Sequence, residues 1–147
     1  MSIVKKMIDF LKKHKEIILY VIFGGLTTVV NWVTYSLFVS FCSITVSNVF
    51  AWIFAVVFAY ITNKIFVFEQ KSWKPSIAFF EFTKFVSSRV LTGVIEIVGV
   101  DILVYLGLNQ TVLGVRGMVA KVTVSIVVVI LNYVFSKLIV FNKKNDT

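Results

Sequence analysis

Four apolar runs, each long enough to cross a bilayer, constrain this chain more than any other feature. A helix needs about 20 mostly apolar residues to traverse a ~30 Å hydrocarbon core. The runs 17–41, 46–68, 82–106 and 115–141 all reach that length, the third being the most polar. The spacing predicts an all-α integral membrane protein with four transmembrane helices. Composition agrees, because 59% of the 147 residues are hydrophobic and only 15% are charged, too few to clothe a water-soluble monomer. The apolar content excludes disorder, and a single cysteine, Cys42, excludes a disulfide scaffold. No small-residue cleavage site follows the first run, so it reads as a span rather than a removable signal.

The net charge of +8 would suggest nucleic acid in a soluble domain. Here the basic residues flank the apolar runs, and no nucleic-acid partner is expected. Lys5, Lys6, Lys12, Lys13 and Lys15 precede the first span. Lys64, Lys71, Lys74 and Lys84 surround the loop between the second and third, and Lys137, Lys143 and Lys144 close the fourth. The other two loops carry only Arg116. Cytoplasmic loops are enriched in Lys and Arg, so both termini and the middle loop are expected inside a multi-pass protein of the cytoplasmic membrane. Residues 1–16 place Ile3, Met7, Phe10 and Leu11 at helical spacing opposite lysines. They read as an amphipathic, basic interfacial helix on membrane lipids, or more simply as a basic anchor. Residues 142–147 form a cytoplasmic tail.

The chain also looks duplicated. Residues 60–71 and 133–144 share Tyr60/Tyr133, Lys64/Lys137, Val67/Val140, Phe68/Phe141 and Lys71/Lys144 at matched positions, with Asn63 opposite Ser136. Two spans per half preserve orientation, so the halves are expected to be parallel-repeat hairpins about the membrane normal. Ser47, Ala51, Ala55, Ala59 and Asn63 recur every fourth residue, a small-residue stripe suited to close helix packing and a candidate interface for a homo-oligomer. Gly24, Gly25, Thr27, Thr28 and Asn31 make a second low-bulk surface.

Ionisable residues inside the later spans matter most, since an intramembrane charge costs roughly 2.5–3.5 kcal/mol on insertion scales. Arg89 and Glu96 share one helix face, and Asp101 points away from it. Lys121 and Asn132 also share a face. Depth puts Asn63, Arg89 and Asn132 in an inner layer, and Lys121, Asp101 and Glu96 further out. Two readings stay open. One is a pair of structural ion pairs, Arg89–Glu96 and Lys121–Asp101. The other is an anion track in which Arg89 and Lys121 hold phosphate, Asn63 and Asn132 hydrogen-bond, and Glu96 or Asp101 neutralises the empty site. No phosphate-binding glycine loop is present. One His and one Cys make a metal, redox or triad site improbable, so no enzyme, metal or cofactor is expected.

These residues resemble the GtrA-like family of small bacterial membrane proteins. The likeness rests on Phe23 to Asn31, Ala59 to Phe68, Phe85 to Arg89, and Lys121 with Asn132 to Phe141. It covers nearly the whole chain, with 17–141 as the four-helix GtrA-like domain, and is nearest the branch that decorates wall teichoic acid. The resemblance implies flipping of a polyprenyl-phosphate-linked monosaccharide to the outer leaflet, where glycosyltransferases of the pathway use it. The implied substrate-binding residues are Arg89, Lys121, Asn63 and Asn132, with Ala59, Val67, Phe68 and Phe85 around them; Asn31, Glu96 and Asp101 form a secondary polar track. Two alternatives are a non-transporting membrane anchor for a glycosyltransferase and a small-ion or drug transporter.

Overall fold

A computed structural model describes residues 2–114 and 116–142, apart from the Ile44 side chain. The expected tail, with Lys143 and Lys144, lies outside the described residues. Among them the chain is helical, with five α-helices and no strand: α1 (Ile3–Lys13), α2 (Lys15–Phe38), α3 (Ile44–Thr62), α4 (Pro75–Tyr105) and α5 (Met118–Phe135). Two π-turns, Asn63–Val67 and Ser136–Val140, continue α3 and α5 without a break. The chain divides into two compact units between Ser72 and Trp73.

In the first unit, Ser2 caps α1 by accepting a hydrogen bond from the Lys5 N–H. Helix α1 buries none of its residues. Its apolar Ile3, Met7, Phe10 and Leu11 are all exposed. Helices α2 and α3 form an antiparallel hairpin: Phe38 stacks on Phe50 at 4.6 Å, and Phe23 on Phe66 at 5.1 Å. Ser43 caps α3 by accepting from the Val46 N–H. Lys15 at the start of α2 reaches Glu69, just beyond the π-turn, at 2.6 Å.

In the second unit, Pro75 opens α4, where its fixed φ and missing N–H suit the first turn. The 31 residues of α4 span about 46 Å at 1.5 Å per residue, more than a bilayer core requires. A left-handed glycine, Gly117 at φ +71°, starts α5. Helix α5 returns antiparallel to α4, and Phe85 meets Phe141 at 6.1 Å near one end. At the other, a Cβ on Gly117 would lie 3.2 Å from Val104.

Three of the helices are long and apolar enough to cross a membrane: Lys15–Phe38, Thr45–Val67 and Met118–Val140. Helix α4, expected as a fourth span, does not qualify by composition. Every eighteen-residue stretch of it holds at least three of Glu81, Lys84, Arg89, Glu96 and Asp101. Large apolar side chains on all of these helices remain exposed, among them Trp32, Leu37, Trp52, Ile97 and Ile126. A water-soluble monomer rarely shows such a surface.

Two packing expectations are corrected. The stripe Ser47, Ala51, Ala55, Ala59 and Asn63 is buried throughout the single chain, so it is not available to a second copy. Gly24 and Gly25 are exposed, and an added Cβ on either would meet nothing within 4 Å. Among the described residues they mark no close helix approach. Thr27 and Thr28 bond back to the Phe23 and Gly24 carbonyls, a local solution for hydroxyls in an apolar helix.

Candidate functional site

The polar groups of the second unit lie along the seam between α4 and α5. Thr92 and Glu96 are one turn apart on α4 and so share a face. Thr92, 1% exposed, donates to Asn132 Oδ1 at 2.8 Å. One turn on, Glu96 Oε1 accepts from Lys121 Nζ at 2.5 Å and from Ser125 Oγ at 3.2 Å. Gly99 follows, where a Cβ would stand 3.2 Å from Val124. A glycine there lets the helices close around the ion pair.

The pairing differs from the one read in the sequence. Lys121 meets Glu96, not Asp101, because Glu96 stands on the seam face while Asp101 is turned about 140° from it and is exposed. Arg89 is half-buried, and its guanidinium lies over the Phe85 ring, 4.8 Å from the centroid. The Phe85 side chain is itself fully buried. Arg89, Thr92 and Glu96 thus run along one side of α4, and the polar seam has two levels. The Thr92–Asn132 level adjoins Arg89, and the Glu96–Ser125–Lys121 level lies about 6 Å further along.

The Lys121 ion pair is not sealed. The Lys121 side chain is 56% exposed and that of Glu96 28%. Lys121 lines a shallow groove of about 430 Å³ that runs along α5 from Met118 past Val122, Ser125 and Ile126 to Val129 and Ile130. An ammonium beside an apolar strip suits an amphiphile with an anionic head.

Other candidates lie in the first unit. Ala59, Asn63, Val67 and Phe68 are buried, and Asn63 Nδ2 donates to the Ala59 carbonyl at 2.7 Å. Asn31 is half-buried on α2. Lys64, read as a loop-flanking charge, is wholly buried, whereas its repeat partner Lys137 is exposed. Thr92 was not singled out by the sequence. Its spacing from Glu96 was the available signal. Among the described residues no cluster of His, Cys, Asp and Glu side chains could hold a metal ion.

The family described as the GtrA/DPMS transmembrane domain matches residues 19–141. The chain belongs to this family. It is 37% identical over 152 aligned residues to the cell wall teichoic acid glycosylation protein GtcA of Listeria monocytogenes, covering 98% of this chain and 99% of the relative. The protein of the same name from Listeria innocua is 36% identical, covering 96% and 97%. The uncharacterized membrane protein YwcD of Bacillus subtilis is 37% identical, covering 87% and 98%. No solved structure matches. Membership of a transmembrane family and three membrane-length apolar helices make this chain a multi-pass protein of the cell membrane.

Proposed function

We propose that this protein moves a polyprenyl-phosphate-linked monosaccharide from the inner to the outer leaflet, for glycosylation of cell wall teichoic acid or a related surface polymer. The observation that carries this reading is Lys121, an exposed ammonium in the first turn of the apolar helix α5 that lines an apolar groove and is balanced by one carboxylate. A phosphate oxygen can replace Glu96 on that ammonium with a charge-assisted bond of the same kind. The prenyl tail then lies along Val122, Ile126 and Val129 or in lipid. Arg89 supplies a planar second station about 10 Å away along α4, counted from Glu96. Asn132, on the same seam, offers a neutral hydrogen bond to the sugar. The relatives named for teichoic acid glycosylation support the pathway.

In this proposal α4 crosses the membrane as a fourth span, its charges turned to the seam or to water, and both termini are cytoplasmic. The α1 lysines rest on the anionic inner leaflet. Glycosyltransferases of the pathway consume the sugar outside, and the chain itself performs no covalent step. The test is genetic: Arg89→Ala and Lys121→Ala remove polymer glycosylation while expression and insertion persist. Normal glycosylation in both variants rejects it.

The Lys121–Glu96 pair favours a second reading, a non-transporting anchor whose ion pair only holds the α4–α5 hairpin together. Deleting residues 2–15 would then abolish recovery of a glycosyltransferase partner, and Lys121→Ala would act only through stability.

A further inference from the structure

The two π-turns occupy matched positions of the repeat and are built alike. The Phe68 N–H bonds the Asn63 carbonyl at 2.9 Å, and the Phe141 N–H bonds the Ser136 carbonyl at 2.8 Å. Both bonds reach back five residues rather than four, so each apolar helix is widened by one residue at the same point. Such turns recur at functional sites. Each begins on a buried polar side chain: Asn63 is 4% exposed and Ser136 1%. Asn63 spends its amide N–H on the Ala59 carbonyl. Its Oδ1 has no hydrogen-bond partner among the described residues, and neither has Ser136 Oγ. A Ser or Thr hydroxyl in a helix ordinarily satisfies itself on a carbonyl one turn back, as Thr62 and Thr123 do here.

A buried polar atom without a partner is costly. Two of them at equivalent places in a duplicated chain are hard to ascribe to chance. We propose that each π-turn is a binding site for one guest hydroxyl. Asn63 Oδ1 accepts from it, and Ser136 Oγ donates to it or accepts from it. The guest is either water or a hydroxyl of the lipid-linked sugar. The second source rests on the proposed function; the first does not.

Ser136→Ala is the clean probe, since it removes one atom and Ala is the better helix former. Ser136→Asn, which copies the first turn into the second, is the rescue. Thermal unfolding of the purified full chain in detergent is followed alone, with polyprenyl phosphate, and with a polyprenyl-phosphate monosaccharide. If the guest is water, Ser136→Ala lowers Tm in all three conditions by about 2–4 °C, and Ser136→Asn does not. If the guest is a sugar hydroxyl, Ser136→Ala keeps its Tm alone and with polyprenyl phosphate, but loses the extra stabilisation given by the sugar. The proposal is overturned if Ser136→Ala is as stable as the parent, or more so, and responds to both lipids as the parent does. A parent that responds to neither lipid removes the sugar arm together with the transport reading, and the water arm is still decided by the protein alone.

Discussion

Glu96 and Lys121 are joined across the α4–α5 hairpin by an ion pair that stays open to the surroundings on the lysine side. Ser125 binds the same carboxylate oxygen, which fixes Glu96 and leaves the longer lysine as the movable partner. The first prediction follows from that asymmetry. In Glu96→Gln the ammonium loses its resident anion, so a polyprenyl phosphate no longer competes for it. A part-exposed pair contributes about 0.5–1 kcal/mol, so affinity should rise about two- to five-fold. Titration of the purified variant with polyprenyl phosphate measures it, and weaker binding would contradict it.

Thr92 and Asn132 are both buried. Thr92→Val keeps the shape and removes the hydroxyl. Hydrogen bonds between membrane helices average about 0.6 kcal/mol and reach about 1.7 kcal/mol, and a loss in that range is expected. The double variant with Asn132→Leu should recover part of it, because no amide is left unpaired. Equilibrium unfolding in mixed micelles reads both. Strictly additive effects would show that the two side chains act separately.

Gly117 and Gly93 should differ sharply. Gly117 sits at φ +71° with Val104 close by, while an added Cβ on Gly93 meets nothing within 4 Å. Gly117→Val is expected to cost about 1–3 kcal/mol through backbone strain. Gly93→Ala should be neutral, or stabilising by up to about 1 kcal/mol. The same unfolding assay ranks them, and equal stability would contradict the left-handed start of α5.

The topology can be read from the chain's one cysteine. Cys42 lies between α2 and α3 and is half-buried. With the termini inside, that turn faces outward. A membrane-impermeant maleimide added to intact cells should label the parent. A Cys42→Ala, Ser72→Cys variant should label only after permeabilisation. The reverse pattern would invert the orientation.

The helical hairpins were legible in the sequence, because bilayer thickness sets the length of an apolar run over tens of residues and tolerates errors of a turn. Helices α2, α3 and α5, with their π-turns, begin and end within a few residues of the apolar runs 17–41, 46–68 and 115–141, whereas α4 starts at Pro75, ahead of the run 82–106. The face shared by Lys121 and Asn132 was also readable: both side chains reach α4 residues. The partner was not readable, since periodicity tells which residues share a side of one helix and is silent on the register of the next. That is why Glu96 rather than Asp101 meets Lys121, and why Thr92 was missed. The π-turns were hidden for a related reason: a one-residue widening leaves no trace in composition. The Ala stripe signalled close packing but could not say whether the neighbour was in the same chain.

The central claim is that Lys121 carries the phosphate of a lipid-linked sugar through the membrane. It is tested most directly by reconstituting the full chain in liposomes containing polyprenyl-phosphate monosaccharide and timing the sugar's appearance at the opposite leaflet. A hydrogen bond to a charged group contributes about 1.5–3 kcal/mol, so Lys121→Ala should slow exchange by roughly ten-fold or more, with Lys121→Arg retaining most of the parent rate. Exchange by Lys121→Ala at the parent's rate, or a parent no faster than empty liposomes, would contradict it.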